Sequence, residues 1–422
     1  MSFRAGADFA KEMDAADKLA PFRAQFHIPK TKSGADTIYF CGNSLGLQPR
    51  AVETAVQQEL TDWKNLGVEG HFHGKNPWMP YHEFVTENAA YVVGAKPSET
   101  VMMNGLTANL HLMMVSFYRP TKERHKILIE YTPFPSDIYA VQSQVKFHGF
   151  DPASSIIELK PRAGEHTMRT EDIEEVIARE GKSIALILIG GVHYYTGQFF
   201  DMERITKAGH AQGCMVGFDL AHAAGNVPLK LHDWNVDFAC WCSYKYLNSG
   251  PGAVAGCFVH ERHAKAFDLP RFAGWWGNDK AVRFKMGPQF QPMEGAEGWQ
   301  LSNPPILSFA PCRVSLEIFR AAGMDNLRAK SLKLTGYLEF LLKGMQGVSI
   351  MTPANDAERG CQLSIKAATN GRKVFEALQA AGVICDWREP DCIRVAPVPL
   401  YNTFTDVHRF AEIFGATLKA AA

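Results

Sequence analysis

The sequence predicts an α/β protein, with a large domain on a mostly parallel sheet followed by a small α+β domain. Three observations carry that prediction. Between Lys126 and Cys242, apolar strand-sized runs alternate with stretches of helical periodicity, the pattern of crossover units on a parallel sheet. Asp219 closes one of these runs and Lys245 follows another, at the strand ends where such sheets collect ligands. From about Pro311 the texture changes to long helices with short strands between them. The expected division is an N-terminal segment (1–40) packed on the small domain, a large domain (41–310) and a small C-terminal domain (311–422).

In chain order, residues 8–19 read as a first helix and 37–40 as a short strand. The strand runs into Gly42-Asn43-Ser44-Leu45-Gly46-Leu47-Gln48-Pro49, a glycine-punctuated loop. Val52, Val56, Leu60 and Trp63 recur at helical spacing, so a helix spans 50–66. Residues 70–78 form a loop with His71 and His73; no partner cluster of metal-ligand spacing stands nearby, and no metal is assigned. Asn104-Gly105-Leu106-Thr107 opens an apolar helix over 110–118, whose unpaired first amides make either an ordinary N-cap or an anion cup. A strand at 126–130 leads to Thr132-Pro133-Phe134-Pro135-Ser136-Asp137, read as a rigid turn presenting an aromatic. Helix 171–179, buried strand 183–189, helix 203–212 and strands 215–219 and 236–242 follow. Gly250-Pro251-Gly252 resembles a dinucleotide loop but leads into a strand (254–259) rather than a helix, which argues against a nicotinamide site. The small domain reads as helices 312–322 and 326–345, strands 348–351 and 361–365, helix 373–381, strands 383–387 and 392–396, and helix 405–419.

Composition narrows the functional classes. Lysine plus arginine equals aspartate plus glutamate at 44 each, with no long like-charge run, which argues against nucleic-acid and polybasic membrane partners. The longest apolar run, 185–191, is strand-sized, and the N-terminus has no apolar signal core. Nine cysteines, none in a Cys-x-x-Cys pair, fit free thiols in a reducing cytoplasm.

The chemistry centres on Ser243-Tyr244-Lys245-Tyr246-Leu247-Asn248. Burying a lysine at a strand end favours its neutral amine, the form that condenses with aldehydes. Asp219 lies one strand earlier, with His222 three residues beyond it. A carboxylate, a strand and then a lysine is the order of a pyridoxal 5'-phosphate site, where the acid holds the pyridine nitrogen protonated.

With these motifs stand Phe134-Pro135-Ser136-Asp137, Gly191-Val192-His193-Tyr194-Tyr195-Thr196-Gly197-Gln198, Gly274-Trp275, Arg283-Phe284-Lys285-Met286 and Ser302-Asn303-Pro304-Pro305. Together they resemble the kynureninase family, within the aspartate-aminotransferase-like (fold type I) pyridoxal-phosphate enzymes. The resemblance implies a seven-stranded-type sheet and hydrolysis of L-kynurenine to anthranilate and L-alanine, with 3-hydroxykynurenine as a second substrate. It implies Lys245 as the Schiff-base lysine, Asp219 on the pyridine nitrogen, His222 near the ring and Phe134 on its face. Leu106, Thr107 and Tyr244 would hold the phosphate, with Pro135, Ser136 and Asp137 close by and Tyr244 as a proton relay. Trp275 and Asn303 would reach the site from the partner of a homodimer. Arg394 would clamp the substrate carboxylate, against the alternative of a surface ion pair with Asp386 or Asp391. His71, Asn43 and Ser44 are candidates for the aryl end. One departure is Gly190, where relatives often carry serine or threonine. Two other readings remain: a cysteine desulfurase or selenocysteine lyase using Cys361 or Cys385, and a cofactor-bearing regulatory protein without turnover.

Overall fold

The computed structural model describes residues 2–421. A two-residue strand, β1 (Ile38–Tyr39), stands outside the central sheet. Seven strands build that sheet: β2 (Thr100–Met102), β3 (Lys126–Ile129), β4 (Ile156–Glu158), β5 (Ile184–Gly190), β6 (Met215–Asp219), β7 (Phe238–Trp241) and β8 (Gly256–Val259). Their order is β2-β8-β7-β6-β5-β3-β4, and only β8 runs against the others. Every residue of β5 is buried. Ile187 and Ile189 enter one core and Leu186 and Leu188 the other, as the two-residue period of a doubly covered strand requires.

The register positions the site. Gly190 pairs with Asp219 and Asp219 with Cys240, so the ends of β5, β6 and β7 line up along one edge. Glu130 directly follows β3 on that edge, and Lys245 follows β7 by four residues. Ligands of open α/β sheets bind at this edge, beyond the carboxyl ends of the strands.

The C-terminal region holds a second, antiparallel sheet. Its strands are β9 (Val348–Ile350), β10 (Leu363–Ala367), β12 (Asp386–Arg388) and β13 (Cys392–Val395), in the order β12-β13-β10-β9. Between them β11 (Val383–Ile384) pairs in parallel with β1. Ala10, Met13, Ile38 and Phe40 share one core with Leu338 and Phe410. The Asp14 carboxylate accepts from the Phe404 and Thr405 amides at 2.6 and 3.0 Å, satisfying the start of the helix Phe404–Ala421.

Several elements differ from the sequence expectation. The first helix is Ala7–Ala15, and a 3-10 turn with Pro21 near its start covers Ala20–Gln25. Residues 383–387 do not form one strand: β11 and β12 belong to different sheets, with Cys385 at the crossover. Phe134-Pro135-Ser136-Asp137 is a helix start rather than a turn, since Pro135 opens the helix Pro135–Phe147. Proline's fixed φ and missing N–H suit that first position. His71 sits on a single helical turn, Gly70–His73. The helix Glu83–Val93 and the edge strand β2 have no counterpart in the sequence reading. No helix among the described residues is long and apolar enough to cross a membrane. All nine cysteines are free thiols.

Candidate active site

A cavity of about 350 Å³ opens at the strand-end edge. Lys245 enters it half-buried rather than fully enclosed, so the desolvation expected from the sequence is only partial. Its Nζ lies 3.1 Å from Nε2 of His222, 5.7 Å from the Phe134 ring centre and 5.9 Å from that of Tyr244. Burial and the neighbouring cation keep the His222 imidazole neutral, far below its ordinary pKa. With Nε2 accepting from Lys245, the ring proton belongs on Nδ1, which is buried and has no partner among the described residues.

Asp219 is almost fully buried, and its Oδ1 accepts from the Ala221 amide at 2.7 Å. Asp137 stands against it. Burial raises both carboxyls, Asp137 more strongly, while the Lys245 cation opposes the rise in each. The stronger rise at Asp137 favours a proton there and the charge on Asp219.

The opposite end of the cavity is an anion cup. The helix Leu106–Phe117 begins at Gly105 and the helix Pro135–Phe147 at Phe134, so two sets of unpaired amides converge. Thr107 and Ser136 join their hydroxyls there at 2.8 Å. The loops feeding both helices are held in left-handed backbone, with φ of 50° at Asn104 and 44° at Thr132. For β-branched Thr132 this conformation is strained, as is typical of loops that present functional groups. Phe134 packs edge-on to Tyr194 at 5.3 Å and leaves part of its ring exposed to the cavity. Tyr244 also lines the cavity, and burial, followed by the Cys242 thiol, pushes its phenol up to about 12.

The residues expected at the substrate end are spread more widely. Arg394 is 1% exposed. Its Nε donates to Asp386 Oδ1 at 2.6 Å, its Nη2 pairs with Asp386 Oδ2, and its Nη1 donates to the Tyr194 carbonyl at 2.6 Å. The Asp386 ion pair is therefore present, but deep in the protein rather than on its surface. Asp391 pairs with Lys366 instead. Asn43 is fully buried, donating to Gln362 Oε1 at 3.0 Å while its own Oδ1 has no partner among the described residues. Ser44 stays in the loop with its amide on the Cys41 carbonyl, and His71 Nδ1 contacts the Val68 carbonyl. Neither side chain lines the cavity, nor do Trp275 and Asn303, which lie toward solvent. Glu130 and Tyr194 do line it, and the sequence reading did not assign either to the site. An acid directly after an apolar parallel strand is the signal that could have found Glu130, the same signal that marks Asp219.

The Gly42–Pro49 loop braces the lysine. The Gly46 amide donates to the Tyr244 carbonyl at 2.8 Å. A Cβ at Gly46 would stand 2.3 Å from the Lys245 carbonyl oxygen. Backbone cannot yield as a flexible side chain does, so Gly46→Ala is expected to cost about 1–3 kcal/mol, read as a lower Tm in thermal melts.

A larger cavity of about 630 Å³ lies away from this edge. Its arginines are already paired, Arg169 with Glu165 and Arg204 with Glu171 and Glu174.

Comparison with known proteins shows the family. Residues 327–414 match the family model for the kynureninase C-terminal domain. A kynureninase of Koribacter versatilis is 63% identical over 420 residues, 99% of each chain. That of Myxococcus xanthus is 60% identical over 97% of each chain. The chain belongs to the kynureninase family. The animal kynureninase of Nematostella vectensis is 52% identical, covering 98% of this chain and 94% of its own. Among solved structures, a cysteine desulfurase from Thermococcus onnurineus has a TM-score of 0.77 at 16% identity, with 99% of each chain covered. A cysteine desulfurase from Escherichia coli reaches 0.78 at 17%, covering 96% of this chain and 99% of its own. A lysine variant of C-DES, with glycine covalently linked to its PLP cofactor, scores 0.75 at 16%, covering 93% of this chain and 98% of its own. At such identities these structures share the fold. The cysteines that a desulfurase reading would need are enclosed: Cys361 is fully buried with its thiol pushed up to about 12, and burial also raises that of Cys385.

The residues present in this kynureninase-family cavity fit pyridoxal 5'-phosphate. An amine, a carboxylate, a half-exposed aromatic face and a two-helix anion cup converge there, and the unpartnered His222 Nδ1 is a donor still lacking an acceptor.

Proposed function

We infer that the protein hydrolyses L-kynurenine to anthranilate and L-alanine with pyridoxal 5'-phosphate as cofactor. The single observation that carries this is near-full-length identity of 63% to a kynureninase, joined to a cavity with the right donor set. When bound, the cofactor supplies an electron-withdrawing ring that stabilises negative charge at the substrate's α-carbon. Lys245 would hold it covalently, Asp219 would face its ring nitrogen, and the Gly105 and Phe134 helix starts with Thr107 and Ser136 would hold its phosphate. His222, Tyr244, Pro135 and Leu106 complete the wall around it.

Once the substrate amine has taken its place, Lys245 has a free amine that can move the α-proton. Tyr244, neutral at physiological pH, can pass a proton as water adds to the γ-carbonyl and the Cβ–Cγ bond breaks. Arg394 binds the substrate carboxylate. Asp386 and the Tyr194 carbonyl engage three of its five N–H groups, which leaves two for a second carboxylate. Asn43, Ser44 and His71 stay candidates for the aryl end although none lines the cavity of its own chain, and 3-hydroxykynurenine is the second substrate.

The protein acts as a cytoplasmic homodimer divided at residues 1–40, 41–310 and 311–422, in which Trp275 and Asn303 complete the partner's site. Their solvent-facing position outside their own cavity supports that reading. Mixing the holoenzyme with kynurenine should release fluorescent anthranilate and one equivalent of alanine; an absence of both would refute the reaction. Sedimentation should give twice the 46.9 kDa chain mass, and a species at the single-chain mass would contradict sharing of sites.

A further inference from the structure

Glu130 has no task in the reaction above, yet its carboxyl lines the cofactor cavity while the residue is only 5% exposed. Its Oε2 accepts from the Gly190 amide at 3.0 Å. Its Oε1 rests against the bare face of that glycine, 3.2 Å from where a Cβ would stand. Among the described residues no side chain donates to Oε1. Gly190 thus leaves a polar gap at the end of β5, and a carboxyl from the neighbouring β3 fills it.

We propose that Glu130 supplies the polar contact Gly190 cannot, donating a hydrogen bond through Oε1 as a neutral carboxylic acid to the bound cofactor. This rests on the reading of the cavity as a pyridoxal-phosphate site. The surroundings favour the neutral form. Asp219 at the end of β6, Asp137 on the helix Pro135–Phe147 and Glu158 at the end of β4 face it, and the phenols of Tyr131 and Tyr194 lie nearby. The cation of Lys245 acts on Asp219 and Asp137 instead. Burial and the two carboxylates at 219 and 158 push Glu130 up to about 7, against the two amides that favour ionisation. A carboxyl kept neutral beside an ionised one separates their work: Asp219 holds the charge, and Glu130 offers a proton.

The experiment is equilibrium dialysis of pyridoxal 5'-phosphate against apo-protein on either side of pH 7. Glu130→Ala should weaken binding about tenfold, the worth of one hydrogen bond in a buried site. Glu130→Gln keeps a donor of similar shape and should stay within about twofold of wild type. Wild-type affinity should fall as pH climbs past about 7, because the raised carboxyl ionises there and loses its donor proton. The glutamine variant should lack that added fall, which a merely structural role would not produce. In the alanine background Gly190→Ser, no longer crowded by Oε1, should recover most of the affinity. Equal affinity of the alanine variant and wild type would overturn the proposal. So would a wild-type pH decline preserved in the glutamine variant. If wild type itself takes up no cofactor, the reading of the cavity fails first. If it does and the variants do not separate, only the role of Glu130 is lost.

Discussion

Lys245→Ala should lower kcat for kynurenine by at least about 10³-fold, the scale of a lost acid–base and covalent group. No other side chain of the cavity can stand in. Among the described residues Lys245 is the only lysine lining it, its Nζ placed between His222 and the face of Phe134. Arg394 is buried, held on Asp386 and the Tyr194 carbonyl, and a guanidinium stays protonated. His222 is held neutral and far from its ordinary titration range, so it can accept from the amine but cannot form the covalent link. The anion cup lies on other elements, at Gly105 and Phe134, and is untouched by the substitution. The variant should therefore still bind pyridoxal 5'-phosphate, more weakly and reversibly. Borohydride reduction should fix cofactor to residue 245 in wild type and leave the variant unlabelled. A variant that still released anthranilate at a tenth of the wild-type rate would remove Lys245 from its assigned role.

The parts of this site legible in the sequence are those written in short segments. Asp219 and Lys245 each lie at the end of an apolar run, and a parallel sheet brings such ends together whatever the details of packing. The helix over 135–147 was hidden because a proline after Phe134 reads as a turn, although the same residue is a favoured helix opener. Only a narrow stripe marks that helix, with Ala140, Val141, Gln144 and Val145 buried. The split of 383–387 was hidden for a different reason: which sheet a short strand joins depends on partners far along the chain, here Ile38 and Arg394. The same holds for side chains. Asn43 meets Gln362 across 319 positions, and Arg394 meets Tyr194 across 200. Residue type and local spacing contain no record of such pairings. Glu130 is the instructive omission: it had the same local signature as Asp219 but lay outside the motifs grouped around Lys245.

Asp219→Asn is the second large effect expected, a fall in kcat of about 10²–10³-fold, comparable to removing one preorganised electrostatic partner from a transition state. The substitution is nearly isosteric, and the Ala221 amide that now donates to Oδ1 at 2.7 Å can donate to the asparagine carbonyl oxygen instead. Folding should survive, with thermal melts close to wild type. The change falls on charge. The stronger rise at Asp137 favours the proton there and leaves the charge of the Asp137–Asp219 pair on Asp219. An amide at 219 would remove the negative charge proposed to face the ring nitrogen, so that nitrogen would hold its proton less well and the ring would withdraw fewer electrons. Asp137 cannot take over, since burial, the largest cause of its raised pKa, still holds it neutral once the Asp219 charge is gone. Binding of the cofactor phosphate depends on the opposite end of the cavity and should change much less than kcat. Asp137→Asn keeps a donor toward Asp219 and should cost far less than Asp219→Asn. Steady-state rates with anthranilate release, measured beside cofactor affinity, separate the two. If Asp219→Asn kept its rate within about twofold, the charge would lie elsewhere in the carboxyl cluster, and the proton assignment within it would have to be reversed.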